Sequence, residues 1–439
     1  MLTALHQLIT ERNDEKQAEL LKEFSQLYYS AAPMDELLAR SVEDVYGATL
    51  SCWQLIQSRK PGEAKVRVLN PDYENHGWQS LHTVIEIVCE DVPFLVDSVR
   101  MELNQRQMSL HAIHYCVMQV ERNKAHKLQT KAPKDGQRWQ TETDKSTAEA
   151  IIYIEIDHHS DSATLDSLTE ELLSVLSEVQ HCVADYPAIL EKAEQAIAVI
   201  DGSTLFPAAE RKQAKLFLEW LKDNHYTFLA YDEFDIKPGK HGLDVIRNDA
   251  SDLGVFRFRN NELVKTKFSD LHADVQHFIE QKKLISFVKS GTRSRVHRPA
   301  YPDYVVIKRY NDKGELVGAM RFVGLYTSMV YIETPNNIPI IRDKLAKVRR
   351  LSGFTENSHS AKELNRILEV YPRDELFQSS AKELAETAVA ILNIQERRQS
   401  RVFLRKDPYS KFLSCMTYIP RDIYNTELRE KMQDVLESE

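Results

Sequence analysis

Residues 82–100, HTVIEIVCEDVPFLVDSVR, constrain the fold of this chain more than any other stretch. Val84, Ile85, Ile87 and Val88 form a near-continuous β-branched run, which predicts a strand covered on both faces. Glu90 and Asp91 close it. Pro93 has no N–H to lose at a first helical position, and Phe94, Leu95, Val99 and Leu103 then recur at helical spacing. Downstream, 110–120 alternates as a second strand through Leu110, Ala112, Val117 and Val120, and 150–156 reads as a third. Leu168, Leu172, Val175, Leu176 and Val179 share one helical face, and Cys182 with Val183 begins a last strand. Strand, helix, strand, strand, helix, strand is the split βαβ order of a ferredoxin-like α+β unit. Between its second and third strands, residues 122–147 are polar and carry Lys124, Lys127, Lys131, Lys134 and Gly136, as expected of a long loop or insertion.

At 439 residues the chain exceeds what one core can serve, so two or three domains are expected. Residues 1–60 read as helices, broken at Pro33 and too sparsely apolar to fold alone. A short strand is expected at 64–69. A proline-bounded helix at 188–200 leads to a middle region with strands at 228–236, 253–258, 285–289, 304–310 and 316–325. The last two are joined through NDKGE, a hairpin turn. Helices follow, with SAKE at 360–363 and again at 380–383 as capping boxes; the second opens a helix with Leu384, Ala388, Ile391 and Gln395 on one face and Glu396, Arg397 and Arg398 at its end. In YPRDELFQ, Pro372 starts a turn and Asp374 and Glu375 occupy a helix start. A strand pair at 401–404 and 412–419 and a helix from Thr426 end the chain.

A formal net charge of −9 argues against a nucleic-acid surface, which would raise the isoelectric point. Five scattered cysteines without a CxxC pair read as buried reduced thiols, fitting a reducing cytoplasm. No apolar run approaches the roughly 18 residues of a membrane span. His111 and His114 fall on opposite faces of a strand and His158 and His159 are adjacent, so no metal site is expected. The glycines form neither GxGxxG nor GxxxxGK, so no dinucleotide cradle and no catalytic residues are expected in this segment.

EDVPFLVDSVR, HRPAYPDYVVIKRY, MRFVGLYTSMVY and YPRDELFQ, in this order, resemble the N-terminal region of the large bacterial NAD-dependent glutamate dehydrogenases. The split βαβ unit looks like an ACT domain, the small regulatory module whose first strand-to-helix turn often receives an amino acid. The resemblance implies a helical leader at 1–60, an ACT-like domain at 61–187, a helical linker at 188–208, a PAS-like antiparallel α+β domain at 209–335, a helical connector at 336–399, and at 400–439 the start of a second ACT-like unit. It also implies a regulatory and oligomerising segment, self-associating through ACT-like sheets, that is inactive alone. The full-length enzyme would oxidise L-glutamate with NAD to 2-oxoglutarate and ammonia, in a catalytic domain beyond Glu439 of the same polypeptide. A free-standing amino-acid sensor with an ACT domain is the alternative.

Two places suit an amino-acid or dicarboxylate effector. At Asp91, Pro93 and Phe94, a strand-end carboxylate and the free N–H groups of a helix start can grip an ammonium and a carboxylate. Members that bind amino acids commonly carry glycine immediately after this proline; Phe94 would instead fill the space, leaving the unit for packing or dimerisation. Arg293, Arg295 and Arg298, with His297, gather before the 304–310 strand, and Lys308, Arg309 and Arg321 follow. Such a cluster either clamps an anion or pairs with acidic side chains of the chain itself. Asp303, next to a tyrosine, suits orienting one of these arginines and equally suits acting catalytically.

Overall fold

The computed structural model describes residues 1–130, 138–239, 242–258, 265–394, 397, 399–407 and 412–438. The expectations for Lys131, Lys134, Gly136, Gln395, Glu396 and Arg398 lie outside them. The chain divides into two compact units, Met1–Ala184 with Ser294–Pro299, and Asp185–Arg293 with Ala300–Glu439.

The first unit begins with helices α1 (Leu2–Arg12), α2 (Glu15–Tyr28), α3 (Met34–Leu38) and α4 (Val42–Ile56). Asp14 and Ser41 cap α2 and α4 by accepting first-turn N–H groups. Then come β1 (Lys65–Leu69), α5 (Tyr73–His76), β2 (Thr83–Glu90), α6 (Leu95–Gln105), β3 (Leu110–Val120), β4 (Thr147–Ile156) and the first part of α7 (Ser162–Gly202), which continues into the second unit after Ala184. The sheet is antiparallel in the order β1-β2-β4-β3. Leu5, Phe24 and Trp53 of the N-terminal helices share a core with Val84, Val88 and Tyr153 of the sheet. The alternate residues Ile85, Ile87 and Cys89 face the other side and are equally buried, as are the stripes Leu95, Val99 and Leu103 of α6 and Leu168, Leu172 and Val175 of α7. A strand with both faces covered has no polar positions to spare, hence its composition.

Three carboxylates break that rule. Glu86, Glu149 and Glu155 are buried, and each meets arginine: Glu86 at 2.7 Å from Arg67 Nε, Glu149 at 2.9 Å from Arg59 and 2.6 Å from Arg122, Glu155 at 2.9 Å from Arg40. A buried carboxylate is tolerated only when paired in this way.

Two expectations fail in this unit. Pro93 lies outside the helix: Phe94 is the N-cap at φ 75°, and α6 starts at Leu95. Cys182 and Val183 lie inside α7, which takes in the expected 188–200 helix and holds Pro187 within its 41 residues. The apolar spacing simply continues, through buried Cys182 and Ile189 to Ala193, Ala196 and Ile200. The sheet position expected of a last strand is taken by β1, antiparallel to β2, from the upstream side of the chain.

The second unit contains α8 (Ala208–Trp220), β5 (Tyr226–Gly239), β6 (Gly242–Gly254), β7 (Lys265–Lys267), α9 (Ala273–Glu280), β8 (Ile285–Lys289), β9 (Asp303–Tyr310) and β10 (Leu316–Tyr326). After them come α10 (Ser328–Ile332), α11 (Ile341–Ser352), α12 (His359–Val370), α13 (Arg373–Gln378), α14 (Ala381–Leu392), β11 (Arg401–Lys406), β12 (Leu413–Tyr418) and α15 (Thr426–Ser438). The main sheet is antiparallel, ordered β7-β6-β5-β10-β9-β8, and β11 pairs with β12 separately. Phe217, Phe228, Phe322, Leu345, Leu368, Phe377 and Leu384 join the sheet to the helices in one core. Two lysines close helix ends within it. Lys308 donates to the carbonyls of Phe278, Ile279 and Gln281, and Lys344 to those of Leu376, Phe377 and Ser379, where α9 and α13 leave acceptors unpaired.

The strand expected at 253–258 is corrected here: β6 ends at Gly254, and Val255–Phe258 is a 3-10 turn. Gly254 has φ 63°, and a Cβ there would stand 2.0 Å from the Leu229 carbonyl oxygen, so the chain bends where a strand was expected to start. The first capping box is also displaced. Ser358, not Ser360, caps α12, whereas Ser380 and Glu383 form the expected reciprocal pair.

Candidate functional site

The end of β2 is fixed by its neighbour: the Asp91 N–H donates to the Ala148 carbonyl at 2.9 Å. The Asp91 carboxylate accepts a short hydrogen bond from the Tyr115 hydroxyl of β3. Burial, and then that bond, hold the Tyr115 phenol above its ordinary pKa, so it remains a neutral donor. The backbone then turns left-handed at Phe94, and α6 begins with no side-chain cap. A cavity of about 370 Å³ opens here, lined by Asp91, Pro93, Phe94, Asp97 and Tyr115 among others. An oriented carboxylate beside an uncapped helix start can receive a small zwitterion, ammonium to Asp91 and carboxylate to the first-turn N–H groups.

The expected site residues do not converge. Asp91, Pro93 and Phe94 share the cavity wall. Arg295 is bound to carboxylates of α6 and α7: Glu171 at 2.7 Å, Glu178 at 2.8 Å and Glu102 at 3.4 Å. Arg293 lies over the Tyr301 ring at 5.4 Å. The Arg298 N–H closes a turn onto the Val296 carbonyl at 3.0 Å. Lys308, Arg309 and Arg321 serve the second unit's own fold; Arg309 meets Asp235 at 2.7 Å, and Arg321 grips Asp232 with two nitrogens. Asp303 pairs with Lys289 at 2.9 Å.

His297 enters through its ring. It sits 4.6 Å from the Phe94 ring, and its backbone N–H donates to Ser98 Oγ at 3.2 Å. Burial, then neighbouring Arg298, lower its pKa, and Asp97 opposes them. Tyr115 and the three glutamates around Arg295 carry no local sequence pattern, since strand register and helix packing bring them in. The Tyr115 position, inside an alternating strand and opposite Ile152, looks like any other aromatic of a sheet.

Among the described residues, no group of three or more His, Cys, Asp or Glu side chains is arranged to hold a metal ion. No helix among them is long and apolar enough to cross a membrane. All five cysteines are free, and burial pushes the Cys89 and Cys116 thiols up to about 12.

Comparison with known proteins is consistent along the chain. Residues 24–172 match the family model for the glutamate dehydrogenase ACT1 domain, 338–397 that for glutamate dehydrogenase helical motif 1, and 401–439 that for the ACT2 domain. The chain is 44% identical to the NAD-specific glutamate dehydrogenase of Halomonas elongata, over 99% of this chain and 27% of that protein. It is 44% identical to the Pseudomonas aeruginosa protein of the same name, over 94% of this chain and 25% of that one. The Mycobacterium tuberculosis protein of that name is 26% identical over 88% of this chain and 22% of its own length. The chain thus spans about a quarter of the relatives it matches. It belongs to the large NAD-specific glutamate dehydrogenase family, as an N-terminal segment.

Proposed function

We propose that this chain is the regulatory and assembly part of an enzyme that oxidatively deaminates L-glutamate to 2-oxoglutarate and ammonia with NAD, and that it does not itself catalyse the reaction. NAD and the hydride step belong, in this reading, to a catalytic domain elsewhere in the same cytoplasmic polypeptide. The single observation that carries it is the ordered run of ACT1, helical motif 1 and ACT2 segments in a chain spanning about a quarter of relatives named for that activity. Purified chain with L-glutamate and NAD should form no NADH; sustained turnover would overturn the proposal.

Within the segment, the division at 1–60, 61–187, 188–208, 209–335, 336–399 and 400–439 remains our reading. The strand order second, first, fifth, fourth, third among the five longer strands of the middle sheet supports calling it PAS-like. Side-by-side pairing of ACT-like sheets would supply self-association. Light scattering should then show the mean mass rising with concentration, and a strict monomer would refute it.

The effector reading rests on the Asp91–Phe94 turn, because its carboxylate faces an open cavity, whereas the Arg295 guanidinium already meets carboxylates. Calorimetric titration with amino acids and with 2-oxoglutarate tests it. Binding abolished by Asp91→Ala supports the turn; binding lost only on Arg295→Ala would move the site.

A further inference from the structure

Residues Ser294–Pro299 lie in sequence between β8 and β9, yet they pack within the first unit. Their anchorage is of three kinds. Arg295 reaches Glu102 of α6 and Glu171 and Glu178 of α7, and Glu102 and Glu178 are mostly buried. Val296 is fully buried. The His297 ring lies against that of Phe94 at a tilt of 44°, and its backbone N–H bonds to Ser98.

The last contact is the informative one. Phe94 and His297 are both non-glycine residues at positive φ, 75° and 73°, and their rings meet. Each conformation costs on the order of 1–3 kcal/mol, so it persists only where the surroundings enforce it. One hydroxyl serves both residues: Ser98 Oγ donates to the Phe94 carbonyl at 2.7 Å and accepts from the His297 N–H. Relaxing Phe94 therefore removes the ring contact and disturbs the bond that seats His297. Leaving entirely would also strand Glu178, which is mostly buried and pairs with Arg295, whereas Glu102 would keep Arg106 at 2.9 Å.

We propose that Ser294–Pro299 is a strap whose seating is one equilibrium with the left-handed conformation of the Asp91–Phe94 turn, so that a small zwitterion in the turn shifts the strap. The final clause rests on the effector reading above; the coupling itself does not. Phe94 is the joint because it both walls the cavity and carries the strap contact. A glycine there would adopt the turn freely and carry no such contact.

Amide hydrogen exchange on the whole chain tests this, with His297→Ala and Arg295→Gln as variants. His297→Ala leaves every ion pair of Arg295 in place, so it stays interpretable if Arg295→Gln, which leaves the mostly buried Glu178 unpaired, fails to fold. In each folded variant, exchange should quicken by about tenfold or more both in residues 294–299 and in 98–101, the first hydrogen-bonded amides of α6, with α1 to α4 unchanged. Faster exchange in the strap with none in 98–101, or no change in either, would overturn the coupling. L-Glutamate is the ligand probe. Coupled exchange without glutamate binding would sink the effector reading at this turn for that ligand and leave the strap standing; glutamate binding with uncoupled exchange would do the reverse.

Discussion

Lys344 and His114 show how differently a buried ionisable group can be accommodated. Burial pulls the Lys344 pKa down to about 7, yet its ammonium meets three carbonyls at 2.6–2.9 Å at the negative end of α13. Lys344→Met would leave those acceptors unpaired, and we expect a loss of about 3 kcal/mol, read from the shift of a urea midpoint. His114 has weaker help: Glu36 stands 3.7 Å from Nε2, beyond hydrogen-bond reach, and Glu155 raises its pKa without overcoming the lowering causes. Both ring nitrogens are buried without a hydrogen bond, and burial, then the nearby Arg40 charge, lower its pKa to about 4. Above its unfolded pKa of about 6.5 the ring is neutral in both states and pH has no leverage. Between 6.5 and 4 the unfolded chain takes up a proton that the folded chain refuses, so stability falls with falling pH, by roughly 3 kcal/mol at most. His114→Phe should flatten that part of the acid limb in urea titrations at several pH values. An unchanged slope would mean that the ring protonates in place.

At the level of elements, β1 is held to the sheet by more than its ladder. Arg67 supplies the counter-charge of Glu86, whose carboxylate lies within the sheet-to-helix core. Arg67→Met should cost about 3 kcal/mol by leaving that carboxylate unpaired, and Arg67→Met with Glu86→Met should recover much of it. Equal losses in the single and double variants would show that the pair itself matters little. The strands β2, β3, β8, β9 and β10 were legible in the sequence because apolar alternation and β-branched runs report burial directly. β6 was not: its residues include Arg247, Asn248, Asp249, Ser251 and Asp252, and pairing with β5, rather than an apolar face, makes it a strand. The fate of Cys182 was illegible for another reason. Two residues cannot distinguish a starting strand from a continuing helix, and only the spacing of residues beyond Pro187 decides. In the site, Asp91 and Phe94 were visible as a turn, whereas Tyr115 and the glutamates about Arg295 arrive through register and packing, which no local pattern encodes.

Across the whole molecule, two units with separate cores make a single unfolding free energy ill-defined. Scanning calorimetry should resolve two transitions. His114→Phe at acid pH and Arg67→Met should move one of them, and Lys344→Met the other. A single transition displaced by all three variants would contradict this independence. The upstream origin of β1 also bears on synthesis. All four strands of the first sheet lie between residues 65 and 156, so every backbone partner it requires has left the ribosome before the second unit is made. Had the closing strand come after α7, the outer edge of β2 would have waited, bare and adhesive, for another stretch of translation.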